Sequence, residues 1–181
     1  MRAREVTAKR YAKALFGAAR DAGRTADVGA ELSAFQEAVA GFPEVRDVLS
    51  RPWIKAADRR GIALAVAEKT GAGQLVRDFA GLIAERGRMD HLAEITTAYR
   101  AFLDEEMGQA RARVRTRVAL SAEDKRRLAA RLEQIVGKRI ILEEQVDHTL
   151  LGGFIAQVGS FILDGSLDGQ LGRMRERLAG G

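Results

Sequence analysis

Cysteine is absent from this chain of 181 residues, so disulfides, thiolate nucleophiles and cysteine-based metal sites are excluded. Histidine occurs only at His91 and His148, which leaves few general bases. The spacing suggests no Ser–His–Asp arrangement, and Gly137-Lys138 lacks the upstream glycine and the following Ser/Thr of a phosphate loop. No catalytic residue, metal ligand or cofactor is therefore assigned. No uninterrupted apolar run approaches the roughly 20 residues needed to cross a bilayer. The basic N-terminus has no apolar core of the secretory kind, and it carries Glu5 and passes directly into a patterned helix. These features point to a cytosolic protein.

Aromatic residues make up only 6% of the chain. That scarcity bears on the net charge of +5, which by itself would suggest nucleic acid. Residues 1–107 are nearly balanced in charge. The basic excess lies beyond them, and only Arg111, Arg113, Arg115 and Arg117 form a concentrated row. Four arginines without aromatic platforms or a known reading motif are a weak nucleic-acid footprint.

What is present is a change of period. Up to about Met107 the spacing is helical. Val28, Leu32, Phe35, Val39 and Phe42 recur on one helix face, and Leu92, Ile95, Tyr99, Phe102 and Leu103 on another. A short helix is expected at Pro43–Leu49, opened by its proline, with longer ones around Ala56–Lys69 and Gly73–Arg86. Glycines punctuate the joints, giving about six helices in an all-α bundle. After Gly108, Val114, Thr116, Val118 and Leu120 alternate with polar residues as in a half-buried strand. Ser121 caps a helix whose apolar face is Leu128, Leu132, Ile135 and Val136, and Gly137 ends it. Ile140, Leu142 and Val146 continue as a strand. Leu151–Val158 and Phe161–Leu163 supply further short strands, and Leu167, Leu171, Met174 and Leu178 form a last amphipathic helix. The expected architecture is mainly α: a six-helix bundle over residues 1–107, then a small α+β domain over residues 108–181.

Two helices of the bundle have too much apolar surface for one core. In the first, roughly Glu5–Ala22, residues Ala8, Ala12, Leu15, Ala19 and Ala22 share one side. Tyr11, Ala14 and Ala18 widen the arc on one flank and Phe16 on the other, to roughly 200°, about twice what a surface helix needs. The helix near residues 73–86 places Leu75, Phe79 and Leu82 on one side and Val76, Ala80 and Ile83 on the other. Either such helices are sunk between neighbours, or one face lines a groove that receives a partner helix. The arginine row likewise has two readings. It is the charge-guarded face of an edge strand, or an electrostatic docking face for an acidic helix. His91 and Glu94, three apart, match half of a di-iron pattern, but the second half is missing and a solvated helix face is the simpler reading.

The last segment carries the densest punctuation. Gly152-Gly153 is expected to supply a turn or positive φ, and Asp164-Gly165-Ser166 a turn and helix cap before Gly169. A calcium loop starting at Asp164 fails, because its twelfth position is Arg175 where a bidentate Glu is required.

Two separated motifs carry a family resemblance. Arg10-Tyr11-Ala12-Lys13-Ala14-Leu15-Phe16 and the run from Leu151-Gly152-Gly153 to Asp164-Gly165-Ser166-Leu167-Asp168-Gly169-Gln170-Leu171 resemble, in order and spacing, the delta subunits of bacterial and plastid F-type ATP synthases. Those are equivalent to the mitochondrial oligomycin-sensitivity-conferring protein. The resemblance spans nearly the whole chain. It implies a non-catalytic stator subunit, present once in a hetero-oligomer and peripheral on the cytoplasmic face of the bacterial plasma (inner) membrane, with no membrane contact of its own. In that family the first and fifth helices of the bundle form the groove for an alpha-subunit N-terminal helix. Tyr11, Ala14, Leu15, Ala18, Phe79 and Leu82 are the groove candidates here. The second domain would meet the C-terminal ends of the b subunits, with Gly152, Gly153, Asp164, Gly165, Ser166 and Gly169 shaping that region. Two departures stand out: His148 replaces the usual proline of a Val-Asp-Pro, and Arg51-Pro52 keeps only the proline of an Asn-Pro. The competing classes are a basic nucleic-acid-binding protein, recognised by a steep salt slope, and an enzyme with an unrecognised bundle site, recognised by a bound ligand or metal.

Overall fold

The structure, a computed structural model, describes residues 2–51, 53–159 and 161–179, with side chains placed for all of these but 2, 3, 172, 173 and 176–179. Pro52 and the side chain of Leu178 lie outside the described residues. The chain divides into two compact units, Met1–Leu103 and Asp104–Gly181, each built around a hydrophobic cluster of its own.

The first unit is helical: α1 (Arg2–Asp21), α2 (Thr25–Gly41), α3 (Pro43–Ser50), α4 (Ala56–Lys69), α5 (Gln74–Glu85), a 3-10 turn at Met89–His91, and α6 (Leu92–Glu106). Local chemistry explains the boundaries. α1 is rich in alanine, the strongest helix former, with Glu5 in its first turn and Arg20 in its last, matching the helix dipole. Pro43 opens α3, where its fixed φ fits and its missing N–H costs nothing. The core is anchored by Leu32 and Phe35 of α2, Val76 and Ile83 of α5, and Ile95 and Tyr99 of α6, all inaccessible to solvent. Tyr99 donates its hydroxyl to the Thr25 carbonyl at 2.9 Å, so burial of this ring leaves no orphaned polar group. Phe16 packs against Tyr99 and Phe102 at ring separations of 5.3 and 5.7 Å.

The second unit contains β1 (Gln109–Thr116), α7 (Ala122–Val136), β2 (Arg139–Val146), β3 (Phe154–Val158), β4 (Phe161–Asp164) and α8 (Leu167–Ala179). The sheet order is β2-β1-β3-β4. β1 and β2 are parallel, and the other two pairings are antiparallel. Parallel neighbours cannot be joined by a tight turn, and α7 provides the crossover. Ser121 accepts the Asp124 N–H at 3.1 Å to start α7, and Gly137, at φ 70°, ends it in the left-handed conformation. Leu128 and Leu132 of α7 pack with Ala112, Val114, Ala156 and Val158 of the sheet.

The mainly α architecture, six helices followed by a small α+β unit, is the one expected from the change of period. Several individual expectations are corrected. Ala22 and Phe42 lie one residue beyond the ends of α1 and α2 and are exposed, so the 3.6-residue pattern outran the helices. Val118 also lies past the end of its strand and is 73% exposed. Ile135, Val146 and Leu151 are exposed rather than core, and Leu151 precedes β3 instead of belonging to it. Leu167, Leu171 and Met174, the apolar face of α8, are exposed as well. The border between units falls after Leu103, inside α6, rather than at Gly108. Asp104 is buried and accepts two hydrogen bonds from Arg111 of β1, at 2.6 and 3.2 Å, which ties the last turn of α6 to the sheet.

The Ser121 cap generates a direct test. Ser121→Ala should lower the stability of the second unit by about 1 kcal/mol. The expected reading is a lower urea midpoint with an unchanged slope.

Candidate functional site

Helices α1 and α5 lie side by side in the first unit, and α5 is held at both ends by side chains from other helices. At its start, the Glu31 carboxylate of α2 accepts the Gly73 N–H at 2.8 Å and is itself held by Arg24 at 2.9 Å. At its end, Arg59 of α4 donates to the Ala84 and Glu85 carbonyls at 3.0 and 3.2 Å, and to the Ile54 carbonyl at 2.9 Å. An anion at the start and a cation at the end both match the helix dipole, and they satisfy groups a helix leaves unpaired. Arg4 of α1 pairs with Asp90 at 2.7 Å, while Tyr11 meets Phe79 edge-on at 6.4 Å. Residue 4 is thus near 90 and residue 11 near 79, so the two helices run antiparallel.

Between them lies a cavity of about 650 Å³, within the size range of ligand and peptide sites. Tyr11, Ala14, Leu15, Ala18, Phe79 and Leu82, the six residues named from the sequence, all line it. Leu15 and Phe79 are buried and form its floor, Tyr11 is half-buried, and Ala14, Ala18 and Leu82 are exposed. The wide apolar arc of α1 is therefore divided: Ala8, Ala12, Leu15, Phe16 and Ala19 face the core, while Tyr11, Ala14 and Ala18 face the groove. α5 divides likewise, with Val76, Ala80 and Ile83 inaccessible and Leu82 44% exposed. Sequence reasoning did not assign Thr7, Arg10, Asp78 or Arg88 to the groove. Thr7 and Arg10 sit one helical turn ahead of Tyr11 and Ala14, so the same face-counting would have reached them had it not been confined to apolar residues. Arg88 lies in the loop after α5, where periodicity gives no signal.

In the second unit the glycine-rich motif closes on itself. The Gly165 N–H donates to the Phe154 carbonyl at 2.9 Å and the Leu167 N–H to the Gly152 carbonyl at 3.0 Å. Asp164 accepts both the Ser166 N–H and hydroxyl, at 2.9 and 2.6 Å, and the Ser166 oxygen accepts the Gly169 N–H at 3.0 Å. Asp168 accepts the Leu151 N–H at 3.0 Å. A Cβ at Gly153, where φ is 76°, would collide with the Gly165 carbonyl oxygen, and one at Gly169 would lie 2.5 Å from the Asp164 carboxylate. Gly153 is required by close backbone approach, whereas Gly152, Gly165 and Gly169 make room for the side chains of Leu167, Phe154 and Asp164. Gly152, Gly153, Asp164, Gly165, Ser166 and Gly169 thereby fix where α8 leaves the sheet.

The edge-strand reading of the arginine row is corrected: β1 is an interior strand, flanked by β2 and β3, so no edge is being guarded. Its charges are answered within the unit. Arg111 binds Asp104 and Glu143, Arg113 approaches Glu143 at 3.8 Å, Arg115 pairs with Asp147, and Arg117 donates to the Leu150 carbonyl at 2.8 Å. Hydrogen bonds from the Thr149 hydroxyl and from Arg115 hold the Asp147 carboxyl well below the usual carboxylate range. The Leu120 N–H, then Lys125, lower Glu144 in the same way.

His91 is buried at 5% exposure, which corrects the expectation of a solvated helix face, whereas Glu94 is exposed. Among the described residues, no three His, Cys, Asp or Glu gather where they could hold a metal ion.

Comparison with known proteins adds a family to this geometry. The family described as "ATP synthase delta (OSCP) subunit" matches residues 7–178. Curated relatives named "ATP synthase subunit delta" include one from Syntrophobacter fumaroxidans, 38% identical over 176 residues, covering 97% of this chain and 96% of that protein. Another, from an Anaeromyxobacter species (strain Fw109-5), is 37% identical over 171 residues, covering 94% and 96%. Among solved structures, a chain of the Toxoplasma gondii mitochondrial ATP synthase hexamer has a similar fold, with a TM-score of 0.71 at 20% identity over 95% of this chain and 97% of that one.

Two predictions come from the motif and its neighbours. Gly153→Ala should destabilise the second unit by about 3 kcal/mol, combining the left-handed backbone penalty with overpacking against Gly165, read from denaturant unfolding. Acid should weaken the same unit. Asp147 and Glu144 have depressed folded pKa values, so their contribution is present above the unfolded carboxylate value and is lost as pH falls below about 4. In urea titrations at pH 7, 4 and 3, Asp147→Asn should have a lower midpoint at pH 7 and a shallower acid decline than the unmodified chain.

Proposed function

The chain belongs to the ATP synthase delta (OSCP) subunit family, and on that premise we propose that it is a stator subunit that does no chemistry and joins the catalytic head to the peripheral stalk. The first unit grips alpha-subunit N-terminal segments in the α1–α5 groove, and the second holds the C-terminal ends of the b subunits. So held, the alpha/beta head resists rotor torque, and proton-driven rotation becomes conformational work at the nucleotide sites. One copy serves one hetero-oligomeric complex at the cytoplasmic face of the bacterial plasma (inner) membrane. Association with the membrane is through that complex, in keeping with the lack, among the described residues, of any helix long and apolar enough to cross it.

The observation that carries this reading is the groove. Six residues picked from two distant sequence segments line one apolar cavity with an aromatic pair at its centre. A surface of that shape and chemistry suits the apolar face of an amphipathic helix. For the second unit, the exposed Leu167, Leu171 and Met174 on α8 offer apolar surface for a stalk helix. Contacts of very roughly 1,000 Å² or more at each unit would make a joint without any chemistry. The paired state of the arginine row removes the main support for nucleic-acid binding.

The test is calorimetric titration of the full chain with a peptide matching its own organism's alpha-subunit N-terminus. Binding should be sub-micromolar and should weaken at least a hundredfold in Ala14→Asp, because an exposed alanine in the groove becomes a charge that the partner must desolvate. No heat of binding from an intact, folded chain would end the groove assignment.

A further inference from the structure

The groove wall formed by α5 ends in a turn whose carbonyls are all accounted for. The Leu82, Ile83 and Ala84 carbonyls accept the N–H groups of Arg86, Arg88 and Gly87 at 3.1, 2.8 and 3.0 Å. The Glu85 carbonyl accepts instead from Arg59 of α4, at 3.2 Å, and Ala84 accepts a second bond from the same guanidinium, at 3.0 Å. Arg59 also donates to the Ile54 and Arg51 carbonyls, at 2.9 and 3.3 Å. Main-chain carbonyls from two distant segments, the loop between α3 and α4 and the end of α5, thus share one side chain. Arg59 does not line the cavity, but Leu82 and Arg88 do, and in the chain they flank the two α5 carbonyls that it holds. Beside it, a Cβ at Gly81 would lie 3.3 Å from the Arg60 Nε, so α4 packs closely along a side of α5 that does not line the groove.

From this arrangement we infer that Arg59 is a positioning residue for helix capture: it holds the last turn of α5, and with it Leu82, in the place the occupant needs. The inference rests on the groove reading above and adds a residue that never meets the occupant. Leu82 is exposed on the open groove, so packing on that side does not fix the end of the helix. Helix ends with unheld carbonyls fray. A frayed last turn samples several conformations, and apparent affinity falls by the fraction of time that the competent one is populated. Holding that conformation in advance removes the cost of ordering it on binding. A guanidinium suits the task, because its planar fork of donors serves several acceptors at once. Its charge also matches the negative end of the α5 dipole.

The experiment is calorimetric titration of the full chain with the alpha-subunit N-terminal peptide named above, at a temperature well below the melting point of every variant. Arg59→Gln should bind about tenfold more weakly, and Arg59→Lys, which keeps the charge but not the fork, about threefold more weakly. Tyr99→Phe removes the hydroxyl bond from α6 to the start of α2. It should melt earlier yet keep its affinity within about twofold, since it leaves the end of α5 held. Circular dichroism reports that each variant is folded, and if Arg59→Gln is not, Arg59→Lys carries the comparison. The route through Leu82 is read from a double-mutant cycle: in a Leu82→Ala chain, Arg59→Gln should weaken binding by only about threefold. If Arg59→Gln binds within about twofold of the unmodified chain, or loses no more affinity than Tyr99→Phe, the positioning role is overturned and the groove reading stands. Additive losses in the cycle would also overturn it. If the unmodified chain binds no peptide, the groove reading fails and the positioning role with it.

Discussion

The first unit depends on how α5 is held. A helix of twelve residues is marginal on its own, and one side of this one is left without a partner along the groove. What stabilises it is its inner face, with Val76, Ala80 and Ile83 fully buried, together with charge-complementary restraint at both termini from Glu31 and Arg59. These restraints come from α2 and α4, on neither of which the groove residues reside. The wall of the groove is therefore positioned from behind, and its outward face can stay apolar and unfilled without the helix shifting to cover it.

Most of this was legible in the sequence because period and punctuation agreed with one another. Alternation in β1, helical recurrence in α2 and α6, the Ser121 cap and the Gly137 stop each have a local cause. The two-sided apolar arcs of α1 and α5 showed surplus apolar surface that must be either buried twice or left open, and the family resemblance pointed to a groove between these two helices. Errors clustered at element ends, where Ala22, Phe42 and Val118 continued a pattern after the backbone had left it. Long-range pairing was not legible. Nothing local says that β1 lies inside the sheet, that Arg111 reaches back to Asp104, or that Arg59 caps a helix 25 residues further on. His91 was misread because a lone histidine's burial depends on neighbours from other elements.

The arginine row shows why net charge is a poor guide to partners. Its side chains project from one strand at alternating positions, and parallel pairing with β2 sets Arg113 across from Glu143. Carboxylates on β2 and in the loop after it answer the cations within the fold. The local field is consequently much weaker than the sequence suggests.

The closure of the glycine motif also bears on stiffness. The base of α8 is joined to β3 and the loop before it through two main-chain carbonyls, Phe154 and Gly152, and a short carboxylate, Asp168. Main-chain links have few soft torsions, whereas long side chains can uncoil by several ångströms before they bear load. A pull on α8 is therefore passed almost directly into the sheet, where several strand hydrogen bonds share it, and little of the work is lost in stretching the attachment. Gly153 makes this possible by letting two backbones touch, so its absence of a side chain gives the connection its low compliance.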